Sequence, residues 1–192
     1  MALIDIPSRR VDARVVFYGP GGGGKTTSLR RIAEAAPEHA RGDFVSLADD
    51  DGRTLFLDDL PLDLGDVGGW RFRLALVGVP GQPAYERTRQ ALLAGADGVV
   101  FVADSDPARR QANIESFAEL ARTLADAGHD PARFPVVVQL NKRDLPGAMP
   151  IPHMLADLGG SGDGAAFPTV AISGAGVFDA LRAIGRRVAR SL

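Results

Sequence analysis

The chain has 192 residues, of which 45% are hydrophobic and 24% charged, with a formal net charge of −2 and no cysteine. That length and balance predict one globular domain over residues 1–192 with a packed core. The near-neutral charge offers no footprint for nucleic acid, and the missing thiols exclude disulfides, thiolate metal sites and cysteine nucleophiles.

Apolar strand-like runs alternate with helical patterns, which predicts an α/β fold with a mostly parallel sheet. In chain order, Ala13–Tyr18 reads as a strand and Lys25–Ala36 as a helix, separated by a glycine-rich turn. Thr54–Leu64 looks extended, with Pro61 interrupting it. A strand over Phe72–Val77, a helix over Ala84–Leu93 and a strand over Gly98–Ala103 follow. Helix Gln111–Ala127 places Ile114, Phe117, Leu120, Ala121 and Leu124 on one stripe, the spacing of a core-facing helix. Then come strand Pro135–Leu140, helix Ile151–Leu158, a shorter strand at Pro168–Ile172 and helix Val177–Ser191. In that last helix Phe178, Leu181, Ile184 and Val188 face the core. Arg182, Arg186, Arg187 and Arg190 form a solvated basic face that complements the C-terminal dipole.

The strongest motif is Gly19-Pro20-Gly21-Gly22-Gly23-Gly24-Lys25-Thr26-Thr27, which fits the G-x-x-x-x-G-K-[ST] phosphate-binding loop at every fixed position. A strand precedes it and a helix follows, the context that separates a real loop from a chance glycine cluster. Glycines let the backbone bring its N–H groups close to phosphate oxygens, and the helix N-terminus adds unpaired donors. Lys25 is expected to reach the β- and γ-phosphates, and the Thr26 hydroxyl to bind Mg²⁺.

A second motif, Asn141-Lys142-Arg143-Asp144, follows a strand. An N-K-x-D in that place is the guanine-reading box of Ras-like GTPases. A carboxylate at Asp144 accepts from guanine N1–H and the 2-amino group, whereas adenine would leave a buried carboxylate unpaired. Asn141 is expected to tie the loop together and the Lys142 stem to cover the base. A third element, Val79-Pro80-Gly81-Gln82, resembles the D-x-x-G-Q region of Ras-like proteins, where the glycine amide contacts the γ-phosphate and the glutamine orients the attacking water. Gly81 and Gln82 match, but Gly78 stands at the aspartate position, so a carboxylate towards Mg²⁺ is missing there.

Taken together these residues resemble the MglA-like family of bacterial Ras-superfamily small GTPases, associated with gliding motility and cell polarity. Beyond GPGGGGKTTSL, the resemblance rests on RTLFLDDLPLDLG (Arg53–Gly65), VPGQPAYERTRQALLAGADGVVFVAD (Val79–Asp104), NKRDLPGAMP (Asn141–Pro150) and GAGVFDALRAI (Gly174–Ile184). It implies a three-layer P-loop fold of the small-GTPase type and a GTP-binding switch that slowly hydrolyses GTP with Mg²⁺. It implies that Thr54 senses Mg²⁺ and γ-phosphate, that Arg53 acts as an arginine finger in cis, and that Gln82 positions water. Val170-Ala171 falls where a backbone amide meets the guanine carbonyl. Asp58 is the acid expected to hold Mg²⁺ in place of the carboxylate absent at Gly78, with Asp59 as the other candidate.

The chain also departs from its family. MglA proteins usually carry Thr at the position of Gly78, and four consecutive glycines replace a more varied loop. The added loop freedom raises the ordering entropy lost on binding. The resemblance further implies an activating dimer of the roadblock (MglB-like) type and downstream effectors. A nucleotide-gated scaffold with little hydrolysis is the alternative that Gly78 and the loose loop suggest. A P-loop kinase or ATPase is opposed by NKRD and by the absence of a candidate lid. His39, His129 and His153 are scattered and form no metal site.

No apolar run approaches the roughly 20 residues of a membrane span. MALIDIPSRR has no signal-peptide core, and Ala2 offers no myristoylation site. Cytoplasmic location without a lipid anchor is expected, with recruitment to a cell pole through partners.

Overall fold

Val15, Val16, Phe17 and Tyr18 are all buried, so the strand that carries them needs a cover on both faces. In the computed structural model, which describes residues 2–48, 54–80, 86–160 and 165–192, that cover is complete. The strands are β1 (Leu3–Asp5), β2 (Arg10–Tyr18), β3 (Val45–Ala48), β4 (Thr54–Val67), β5 (Trp70–Gly78), β6 (Gly98–Asp104), β7 (Val136–Asn141) and β8 (Ala166–Pro168). The helices are α1 (Lys25–Ala35), α2 (Glu86–Ala94), α3 (Arg110–Asp126), α4 (Ile151–Asp157) and α5 (Val177–Ser191).

The strands form one sheet in the order β3-β4-β5-β2-β6-β7-β8, with β1 beside β2. From β5 to β8 the neighbours run parallel, while β1, β3 and β4 join antiparallel to their partners. Side chains alternate across the pleat, so Val15 and Phe17 join a core with Leu29 and Ile32 of α1 and Ile184 and Val188 of α5. Val16 and Tyr18 join the opposite core with Leu93 of α2, Leu120 and Leu124 of α3 and Met154 of α4. This is the three-layer, mostly parallel arrangement of a Ras-like P-loop fold. The chain builds outward from β2 in one direction through β5 and in the other through β6. That is the switch point outside whose strand ends an open α/β sheet places its ligands.

Three expectations shift. Pro61 does not interrupt its strand: β4 runs through it, paired with Ala75. Its carbonyl accepts from the Gly42 N–H at 2.9 Å, so its missing N–H faces away from β5 and no ladder bond is lost. The last strand covers Ala166–Pro168 rather than Pro168–Ile172, because the Ala171 amide donates to the Asn141 side chain and the backbone turns. On α3, Ala121 is exposed, and Asn113 and Thr123 join Leu120 and Leu124 on the buried face.

Candidate functional site

The loop after β2 climbs over the end of the sheet before α1 begins. Gly24 has φ +103, and a Cβ there would run into the Asn141 amide, so only glycine serves at this point. Lys25 opens α1, is 7% exposed, and folds back to donate to the Gly19 and Pro20 carbonyls, each at 2.8 Å. Burial pushes its ammonium down to about 8; Asp58 opposes this, while the charges of Arg89 and Arg109 add to it. An anion that replaced those carbonyls would find a cation already desolvated and aimed. Thr27 lies two residues further, half-buried at the rim.

The next side chain, Thr26, donates to Asp58 Oδ2 at 2.7 Å. Asp58 is 1% exposed and accepts from Ser46 Oγ on β3 at 2.6 Å through its other oxygen. It sits opposite Gly78 on β5, where a Cβ would lie 2.8 Å from Asp58 Oδ2 and 2.8 Å from Leu29 Cδ1. The acid thus comes from the neighbouring strand, and the glycine leaves it room. Asp59 points to the other face of the pleat, half-buried and paired with Val45 and Val77. A hydroxyl and a carboxylate side by side suit Mg²⁺, which keeps several waters and takes few protein oxygens. No cluster of three metal-ligating His, Asp or Glu occurs among the described residues. The backbone of Thr54 starts β4. Arg53, Gly81 and Gln82 lie outside the described residues.

The NKRD loop meets the glycine loop directly. Asn141, 1% exposed, donates to the Gly23 carbonyl at 2.8 Å, and its oxygen accepts from Ala171 N at 2.9 Å and Thr169 Oγ1 at 3.2 Å. One amide therefore ties three loops. Val170 N donates to the Ala175 carbonyl at 3.0 Å, so both amides of the Val170-Ala171 pair are engaged within the protein. Lys142 has φ +64, a conformation bulky residues occupy only when their surroundings enforce it. Its ammonium donates to Asp104 Oδ2 at 2.6 Å. Between these loops lies a cavity of about 210 Å³ lined by Gly22, Gly24, Thr27, Lys142, Asp144 and Ala171, among others. Asp144 is exposed at its rim rather than buried, so its carboxylate is open to solvent.

Sequence reasoning passed over four residues that the fold brings here. Asp104 ends β6, is 1% exposed, and anchors Lys142; Asn113 of α3 clamps its backbone with bonds of 2.9 and 2.8 Å. Its signal was its place at the carboxyl end of an apolar strand. Arg109 donates to the Gly21 carbonyl at 2.7 Å. Arg89 of α2, 6% exposed, pairs with Glu119 of α3 at 2.6 Å and reaches the Pro80 carbonyl at 3.4 Å. The Tyr18 phenol beside this pair is pushed up, by burial first and then by the Glu119 charge. Arg89 lies within the Val79–Asp104 stretch that carries the resemblance and Arg109 lies outside every quoted motif, but the contacts of both emerge only in the tertiary structure.

Comparison with known proteins adds to this geometry. The chain is 42% identical to the mutual gliding-motility protein MglA of Myxococcus xanthus over 192 residues, all of this chain and 98% of that protein. It is 26% identical to ADP-ribosylation factor-like protein 6 of Caenorhabditis briggsae over 185 residues, 94% of this chain and 89% of the relative. No family model matches the chain.

Proposed function

Since the chain belongs to the MglA family of Ras-like small GTPases, we propose that it is a switch that binds GTP and Mg²⁺ and hydrolyses GTP slowly to GDP and phosphate. The observation that carries the reading is Asn141, which joins the phosphate loop at Gly23 to the NKRD loop and to Ala171 around one cavity. That arrangement fits a ligand with phosphates at one end and a guanine at the other.

In this reading Gly19, Gly21, Gly22, Gly23, Gly24, Lys25, Thr26 and Thr27 cradle the phosphates and Gly81 meets the last of them. Asn141, Lys142, Asp144, Val170 and Ala171 frame the base. Thr26, Asp58 and Thr54 are the residues that would hold Mg²⁺, which would supply positive charge against the phosphates. Gln82 orients the water that attacks the γ-phosphorus, and Arg53 stabilises charge on the transferring group; the bond to the GDP oxygen breaks. Lys25, itself nearly buried, holds phosphate oxygens. The nucleotide state controls cell polarity or motility in the cytoplasm through effectors, and a roadblock-type dimer accelerates hydrolysis. Among the described residues no helix is long and apolar enough to cross a membrane. The scaffold alternative drew on Gly78 and on the loose glycine loop; Asp58 brings a carboxylate beside position 78, which answers the first of these grounds.

Competition of GTP, GDP and ATP against a fluorescent guanine nucleotide, with Mg²⁺, tests the reading. Displacement by both guanine nucleotides and not by ATP is expected. Preferential displacement by ATP would overturn it.

A further inference from the structure

Gly21–Gly24 is a run of four residues with no side chain to pack, the least ordered sequence a phosphate loop could have. The folded chain nevertheless holds it at defined points. Gly23 N donates to the Pro20 carbonyl at 3.2 Å, and Asn141 Nδ2 holds the Gly23 carbonyl at 2.8 Å. Arg109 Nη2 holds the Gly21 carbonyl at 2.7 Å. Arg109 belongs to neither motif. It ends a short 3₁₀ turn, Pro107–Arg109, stiffened by Asp106, whose carboxylate accepts from Ala108 N at 2.9 Å.

The two sides of the glycine run face different spaces. Pro20 and Gly21, with Arg109 and Arg89, line a groove of about 530 Å³ between α2 and α3. Gly22, Gly24 and Thr27 line the cavity beside NKRD. The Gly21–Gly22 peptide is planar and trans, so its C=O and N–H point in opposite directions. A guanidinium that draws the Gly21 carbonyl towards the groove turns the Gly22 N–H away from it, to the side of Gly24 and Thr27. The Gly22 and Gly24 amides have no acceptor among the described residues.

We infer that Arg109 is a positioning residue of the phosphate loop: by clamping the Gly21 carbonyl from the groove side it presets the Gly22 amide as a donor to a phosphate oxygen. This deepens the nucleotide-switch reading and rests on it. The clamp offsets the freedom of the four glycines, because a loop already ordered loses less entropy when its ligand arrives. A neutral side chain of similar length cannot replace it, since a carbonyl is held by a charged donor more firmly than by a neutral one.

The test compares Arg109→Ala and Arg109→Lys with the parent protein. Binding of GDP with Mg²⁺ is measured by calorimetry, and the weak binding of guanosine by NMR shift perturbation. The expected result for Arg109→Ala is a GDP Kd raised about tenfold, as for one lost charge-assisted contact. Guanosine binding stays within about twofold, the nucleotide-free melting temperature is unchanged, and Arg109→Lys lies between. An equal loss for guanosine, or an unchanged GDP Kd, would overturn the inference. A parent protein that binds ADP instead of GDP would sink the guanine reading alone, and the same comparison then runs with ADP and adenosine. A parent that binds neither would sink both.

Discussion

The carboxylate of Asp58 occupies the space that a Cβ on Gly78 would need, with Oδ2 2.8 Å from that position across the β4–β5 ladder. Thr26 and Ser46 hold the same carboxylate from two further elements, at 2.7 and 2.6 Å, so it has little room to give. Gly78→Ala is expected to cost about 1–3 kcal/mol, the usual range for an added methyl in a filled site. It also weakens the Mg²⁺ dependence of nucleotide affinity, because Asp58 must release one of its hydroxyl partners. Urea unfolding and a Mg²⁺ titration of GDP binding measure the two effects. A variant as stable as the parent would show that Leu29 and Asp58 move aside freely.

Asn141 should be as much a fold residue as a site residue. Asn141→Ala leaves the Gly23 carbonyl, the Ala171 amide and the Thr169 hydroxyl without their common partner. Buried groups stranded in this way cost about 1–3 kcal/mol each at most, with partial relief from water. The expected outcome is a melting temperature lower by several degrees even without nucleotide, a size fitting such a loss in a domain of about 150–250 residues. Differential scanning calorimetry of the nucleotide-free protein decides it.

Asp144 offers two acceptors, and Asn at that position offers one acceptor and one donor. Guanine presents two donors there, whereas xanthine presents a carbonyl in place of the 2-amino group. Asp144→Asn is therefore expected to lose about 10- to 100-fold in GDP affinity, the worth of a charged hydrogen bond, and to gain affinity for xanthosine diphosphate. Because Asp144 lies exposed at the cavity rim, the same change should leave the unfolding midpoint alone. Identical losses for both nucleotides would count against base reading by this residue.

Acid stability should report on Asp63. Hydrogen bonds from the Arg71 guanidinium and from the Gly65 amide hold its carboxyl below the usual carboxylate range. A carboxyl with a lower pKa in the folded state contributes stability at pH values above its unfolded pKa, near pH 4. The contribution fades as pH falls from there through the folded value. Stability of the parent is expected to fall below about pH 4 more steeply than that of Asp63→Asn. Parallel acid titrations followed by circular dichroism provide the comparison.

Much of the frame was legible beforehand because its signals are local. The run Ala13–Tyr18, the glycine loop and Lys25–Ala36 need only hydrophobic pattern and turn chemistry, and they appear as β2, loop and α1 with shifts of a few residues. What was misread depended on partners distant in sequence. Pro61 looked like a break because the direction of its missing N–H is set by β5 and Gly42. The strand expected at Pro168–Ile172 yielded because Asn141, far back in the chain, claims the Ala171 amide. Ala121 fits the apolar stripe of α3 by spacing, yet Asn113 takes a core place by clamping the end of β6.

By itself the sequence determined the α/β class, the order of its elements, the glycine-rich loop between β2 and α1 and the family, since each rests on residues adjacent in the chain or on identity along it. Only the tertiary structure decided that Asp58 and not Asp59 meets Thr26, that Gly78 makes room for it, and that Arg109 braces the glycine run. The reason is the pleat and the packing: one step along β4 reverses a side chain, and a guanidinium reaches a loop 88 residues away only once the sheet has brought β2 and β6 together.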